Sequence, residues 1–134
     1  MRVRMRMRMR VRVRVCARTR VCVRVSLVSC TGVATPSEVE AAIEAGCRYV
    51  KFFPAEAAGG IPYLKSMSAP YAHLGMQYFP LGGVNAGNMQ AYLALGDSVP
   101  AVGGSWIVKQ DLVAAEDWAG ITARAAEVVK QLAE

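Results

Sequence analysis

One lysine stands where a lysine should be rare. Lys51 interrupts the run Tyr49-Val50-Lys51-Phe52-Phe53, a compact β-branched and aromatic stretch that reads as a strand. Alternation puts Tyr49, Lys51 and Phe53 on one face. An amine buried among rings loses solvation, which favours its neutral, nucleophilic form and suits it to attack a carbonyl. Periodicity taken alone favours the plainer arrangement, a lysine on the solvent face of its strand. Two glycine pairs offer a second kind of chemistry: Gly82-Gly83, and Gly103-Gly104 followed by Ser105. Consecutive glycines can turn backbone N–H groups toward one anion, and a following helix N-terminus adds the positive end of a dipole. Tight turning without a ligand is the competing account of each pair. Cys16, Cys22, Cys30 and Cys47 form no C-x-x-C pair, and the single histidine, His73, stands apart from them. That spacing argues against zinc, and neither a metal nor a cofactor is expected. Free thiols in a reducing cytosol are the simplest reading of the cysteines.

Repeated strand, loop and helix must position these groups. Residues 26–30 can end a strand. Thr35-Pro36-Ser37-Glu38 then reads as a helix start, with Thr35 as cap, Pro36 in the first turn and Glu38 at the capping-box position. Gly46 stops that helix. Residues 48–53 form the lysine strand, ended by Pro54. After Gly59-Gly60 comes a short helix from Ile61 to about Ser68, then a strand over 76–81 that Gly82-Gly83 breaks. Asn85 is expected to cap a helix through Leu95, and residues 99–102 to form a last strand before Gly103-Gly104-Ser105. Trp118, Ile121, Ala125, Val128 and Leu132 keep helical spacing across a final helix from about 116 to 132. Alternating strands and helices predict a parallel sheet with right-handed crossovers. Four such units make the last half of an eight-stranded α/β barrel, a fold that needs about 200 residues or more when complete; this chain has 134.

Charge divides the chain at residue 25. Residues 1–25 hold ten arginines and no acid, while the remaining six Lys/Arg against ten Asp/Glu leave 26–134 at −4. The overall +6 therefore describes a basic arm on a mildly acidic segment, not a basic domain. Within the arm every even position is Arg or Cys and every odd one Met, Val, Ala or Thr. Those residues can be written as one uninterrupted purine/pyrimidine alternation in DNA, as a translated simple-sequence repeat would be. The arm is read as such a repeat in place of early barrel strands, with adventitious polyanion binding as the alternative. It lacks aromatic residues for stacking on bases, so no specific nucleic acid is expected. No apolar run reaches the roughly 18 residues of a bilayer span. A soluble, cytoplasmic protein with no membrane association is expected.

Lys51-Phe52-Phe53-Pro54-Ala55-Glu56, followed by Gly59-Gly60, resembles the Schiff-base signature of the 2-keto-3-deoxy-6-phosphogluconate (KDPG) and 2-keto-4-hydroxyglutarate aldolases. Pro80-Leu81-Gly82-Gly83-Val84-Asn85 and Gly103-Gly104-Ser105-Trp106 resemble that family's later turns, and Gly32-Val33-Ala34-Thr35-Pro36-Ser37-Glu38 its segment before the lysine strand. The resemblance covers roughly residues 27–134. It implies the C-terminal half of a barrel in which Lys51 forms an imine with a pyruvyl carbonyl and Phe53 packs against the pyruvyl part. Gly82, Gly83, Gly103, Gly104 and Ser105 would then hold the 6-phosphate. The implied reaction is metal-free cleavage of a phosphorylated 2-keto acid to pyruvate and glyceraldehyde 3-phosphate, in a homo-oligomer (the family trimer). Three departures stand out. Leu81 replaces a threonine that helps hold the ligand, and Thr31 replaces a proline. Nothing matches the family's general-base glutamate and carboxylate-binding arginine, which come from early strands. Glu56 lies close to Lys51 in the chain, but a loop or capping role suits it better than that of the base. A catalytically impaired remnant that keeps the lysine and the phosphate loops is the alternative to an active aldolase.

Overall fold

The computed structural model describes residues 30–132; the arginine-rich arm and all but Cys30 of the strand end expected over 26–30 lie outside them, and Cys30 itself precedes the first strand. The described chain is α/β, built on three parallel strands in the order β1-β2-β3: β1 (Thr31–Val33), β2 (Tyr49–Phe52) and β3 (Gln77–Pro80). Helix α1 (Pro36–Glu44) joins the first two strands, and α2 (Gly60–Ser68) with a 3-10 segment (Ala69–Leu74) joins the second to the third. Beyond β3 come α3 (Met89–Leu93), α4 (Gln110–Ala114) and the long α5 (Trp118–Gln131).

Strand register fixes which side chains share a face. Gly32 pairs with Lys51 and Lys51 with Phe79, while Val33, Phe52 and Pro80 form the next row. Adjacent residues in a row point to the same side of the sheet. One side carries Val33, Val50, Phe52 and Tyr78, all at most 2% exposed, and these pack with Val39, Leu64, Met67, Met89 and Tyr92 from the helices. The other side carries Tyr49, Lys51, Gln77 and Phe79, each only half-buried. The core therefore lies between sheet and helices, and the lysine lies opposite it.

Helix α1 starts as its sequence predicts: the Thr35 side chain accepts from the Glu38 N–H, and the Glu38 carboxylate accepts from the Thr35 N–H at 2.9 Å. Three expectations need correction. Residues 99–102 form no strand; a single ladder-like bond, Gly103 N–H to the Pro80 carbonyl at 3.1 Å, carries the chain past β3. Pro100 sits in the middle of that segment and has no N–H to donate. The helix after Gly82-Gly83 begins at Met89 and not at Asn85. The Asn85 side-chain oxygen accepts from the Gly87 N–H at 2.8 Å, so it closes a local turn. Beyond both, just ahead of the last helix, α4 arises where no helix was expected. The last helix begins at Trp118, capped by Asp117 accepting from the Gly120 N–H. Its apolar stripe is only partly covered: Ile121, Ala125 and Val128 are half-buried, whereas Trp118 is 60% and Leu132 53% exposed.

Candidate active site

Lys51 is held by the central strand and lies on the side of the sheet away from the helices. It is half-buried, not buried as the sequence argument required, because rings flank it without closing over it. Its Nζ lies 4.4 Å from the centroid of the Phe53 ring, close enough for attraction between a cation and the π face. Phe79 is its neighbour on β3, and Gly32 its neighbour on β1. Among the described residues a side chain at Gly32 would meet nothing within 4 Å. The Cys30 thiol, just ahead of β1, is pushed above its ordinary value by burial first and by Cys47 second, with Lys51 acting in the opposite direction.

Phe53 connects the amine to the first glycine pair. Its ring atoms stand 3.0 Å from where a Gly82 side chain would begin. Gly82 and Gly83 have φ of +90° and +86°, values that L side chains rarely adopt. The second pair packs on the residues that flank the first. Gly103 is 3.1 Å from the Leu81 side chain at its Cβ position, and a Cβ on Gly104 would strike the Trp106 ring and lie 2.8 Å from the Val84 carbonyl. Among the described residues, no acceptor takes the N–H groups of Gly82, Gly83, Gly104 or Ser105. The structure thus brings Lys51, Phe53, Gly82, Gly83, Gly103 and Gly104 to one end of the sheet, with Ser105 exposed in the turn that follows. The expected helix dipole is missing from both turns. After Gly83 the chain turns for five residues before α3, and after Ser105 it reaches α4 only at Gln110. Any anion there would meet backbone N–H groups and the exposed Ser105, not a helix N-terminus.

Glu56 takes up the structural role expected of it. Its N–H donates to the Gly82 carbonyl at 3.0 Å, its neighbour Ala55 donates to Leu81 at 2.7 Å, and its carboxylate accepts from the Tyr92 hydroxyl. Tyr92 is fully buried, and its hydroxyl is pushed above the usual phenol range by burial first and by the Glu56 bond second. Sequence reasoning missed Tyr92. Its only signal is a place three residues after Met89 on the apolar face of α3. Among the described residues no three His, Cys, Asp or Glu side chains gather as a metal site.

A family profile described as "KDPG and KHG aldolase" matches residues 17–124. The chain belongs to the KDPG and KHG aldolase family. It is 39% identical over 110 residues to a 2-dehydro-3-deoxy-phosphogluconate aldolase of Haemophilus influenzae, covering 82% of this chain and 50% of that protein. It is 42% identical over 98 residues to the enzyme of the same name from Dickeya dadantii, covering 73% and 45%. Among solved structures, a KDPG aldolase from Legionella pneumophila, with pyruvate captured as a covalent carbinolamine intermediate, superposes with a TM-score of 0.69. It is 40% identical, over 74% of this chain and 47% of that one. A Zymomonas mobilis KDPG aldolase with 3-phosphoglycerate gives a TM-score of 0.64 at 36% identity, over 74% and 44%. The chain spans about half the length of the curated relatives it matches.

Proposed function

We propose that this chain carries the imine-forming part of a Schiff-base aldolase acting on a phosphorylated 2-keto acid, KDPG by resemblance, and that its fold is part of an eight-stranded barrel. One observation carries the reading: among the described residues the only lysine on the sheet stands over the Phe53 ring, within the span that the family profile matches. Lys51 Nζ would attack the C2 carbonyl to give a carbinolamine, as the pyruvate captured in the Legionella pneumophila enzyme illustrates. Protonation of the carbinolamine hydroxyl and loss of water leave a protonated imine. The C4 hydroxyl then gives up its proton to a base, C4 becomes the aldehyde carbon of glyceraldehyde 3-phosphate, and the electron pair of the C3–C4 bond moves toward the imine nitrogen. Protonation of the resulting enamine at C3 and hydrolysis release pyruvate and regenerate the amine. The free N–H groups of the two glycine turns, with Ser105, are suited to the phosphate end of the substrate.

A base is still required. The nearest carboxylate along the chain, Glu56, is engaged by Tyr92, and residues 1–29 contain no glutamate. Loss of a general base costs about 10² to 10⁴ in rate, which supports imine formation with weak turnover for the chain as it stands. A cytoplasmic location and a homo-oligomeric assembly belong to the same reading. Among the described residues no helix is long and apolar enough to cross a membrane.

Borohydride reduction in the presence of pyruvate tests the assignment. A stable pyruvyl adduct on Lys51 is expected, and none in Lys51→Arg, because a guanidinium stays protonated and cannot form the imine. Adducts spread over Lys65, Lys109 and Lys130 with Lys51 unlabelled would overturn it.

A further inference from the structure

The Gly82-Gly83 turn has no side chains of its own to anchor it, so its neighbours must set its position. On the side facing the chain after it, the Gly83 carbonyl accepts from the side-chain amides of Asn85 at 3.1 Å and Asn88 at 3.3 Å. On the side facing β2, Glu56 does the holding. Its N–H donates to the Gly82 carbonyl, and its Cβ and Cγ stand 2.6 Å from the point where a Gly83 Cβ would be. What holds Glu56 is the Tyr92 hydroxyl, which reaches its Oε1 from α3 across 36 residues of sequence. Packing alone does not call for that hydroxyl, since a phenylalanine would fill the same buried space. Its partner is an otherwise exposed carboxylate, a group that would adopt many rotamers without it.

We propose that Tyr92 is a positioning residue: through Glu56 it sets where the Gly82-Gly83 turn stands relative to Lys51, and hence how tightly that turn holds a phosphate group. The phosphate half of this statement rests on the aldolase reading above; the clamp does not. Because α3 follows the turn after five residues, the Tyr92–Glu56 bond closes a loop of contacts from β2 through the turn and back.

Two variants break the clamp from opposite sides, Tyr92→Phe and Glu56→Ala, and Glu56→Gln keeps an oxygen that can accept the hydroxyl. Two quantities are read on each full-length protein. One is the affinity for inorganic phosphate, titrated by the amide resonances of Gly82 and Gly83. The other is hydrogen exchange of the amide at position 56, which bonds to Gly82, with the Leu81 amide, bonded to Phe52 within the sheet, as control. Loss of a hydrogen bond to a carboxylate should weaken phosphate binding about tenfold and speed exchange at position 56 by about the same factor in both broken variants. Leu81 exchange and borohydride labelling of Lys51 by pyruvate should stay within about twofold of the parent. Glu56→Gln should behave as the parent does. Unchanged exchange at position 56 in Tyr92→Phe and Glu56→Ala would overturn the clamp, as would equal acceleration at Leu81, which marks a merely structural role. A parent protein that ignores phosphate, with position 56 still loosened in the broken variants, would remove the phosphate assignment and leave the clamp.

Discussion

Gly32 and Gly83 differ in what surrounds the hydrogen that a methyl group would replace. At Gly83 the backbone has φ +86° and the new carbon would lie 2.6 Å from Glu56 Cβ and Cγ. At Gly32, beside Lys51, it would meet nothing within 4 Å, and φ is ordinary. Gly83→Ala should therefore lower stability by about 1–2 kcal/mol, read as a shift of the urea midpoint. Gly32→Ala should leave that midpoint unchanged or raise it slightly, since alanine reduces the freedom of the unfolded chain. Equal midpoints for the two variants would contradict the geometry. The glycine pairs and Lys51 were legible in the sequence because each is a local anomaly: a charge in an apolar run, or side chains missing twice in a row. That Glu56 fills the space above Gly83, and that Tyr92 holds it there, was not legible. Both contacts join residues far apart in the chain, and neither residue type is unusual where it stands.

Helix α1 and strands β2 and β3 lie close to where the sequence places them, whereas the segment over 99–102, the start of α3 and the whole of α4 do not. Helix α1 begins where the capping box places it, because every bond of that motif lies between Ala34 and Glu38. Thr35→Ala removes the cap and should cost about 1 kcal/mol. The same motif has a pH signature. The Glu38 carboxyl is held below its ordinary value of 4.5, first by the Ala34 N–H, then by the Thr35 hydroxyl and N–H. A carboxylate with a depressed folded-state value stabilises fully above its unfolded value, and that contribution fades as pH falls through the folded value. Stability should thus decline on acidification below about pH 4.5, and Glu38→Gln should lower the neutral plateau and flatten that limb, the two proteins converging at low pH. An acid limb identical in the parent and Glu38→Gln would show that other carboxyls set it. Residues 99–102 behaved otherwise. Their β-prone composition suggested a strand, yet Pro100 cannot complete a ladder, and strand pairing is decided by both partners.

At the scale of the whole molecule, the described residues cover the sheet on one side only. Helices bury Val50, Phe52 and Tyr78, while the described residues leave Tyr49, Lys51, Gln77 and Phe79 half-buried and Phe53 48% exposed. Among the described residues β1 and β3 each pair only with β2, apart from the single bond from Gly103. Helix α5 adds an exposed Trp118, Val129 at 66% and Leu132. Open strand edges and contiguous apolar surface both favour association with another polypeptide, and any association that occurs only in the folded state raises apparent stability with concentration. The melting temperature of the purified chain should therefore climb as protein concentration rises, with sedimentation showing species larger than one chain over the same range. Two causes can be separated by Trp118→Ser. If α5 forms the contact, that variant should lose the concentration dependence. If the open sheet does, the variant should keep it, because Trp118 lies on a helix and not on a strand. A sharp melt of a monomer at one temperature across all concentrations would mean that the three described strands, covered on one side by the described helices, hold together without a partner chain.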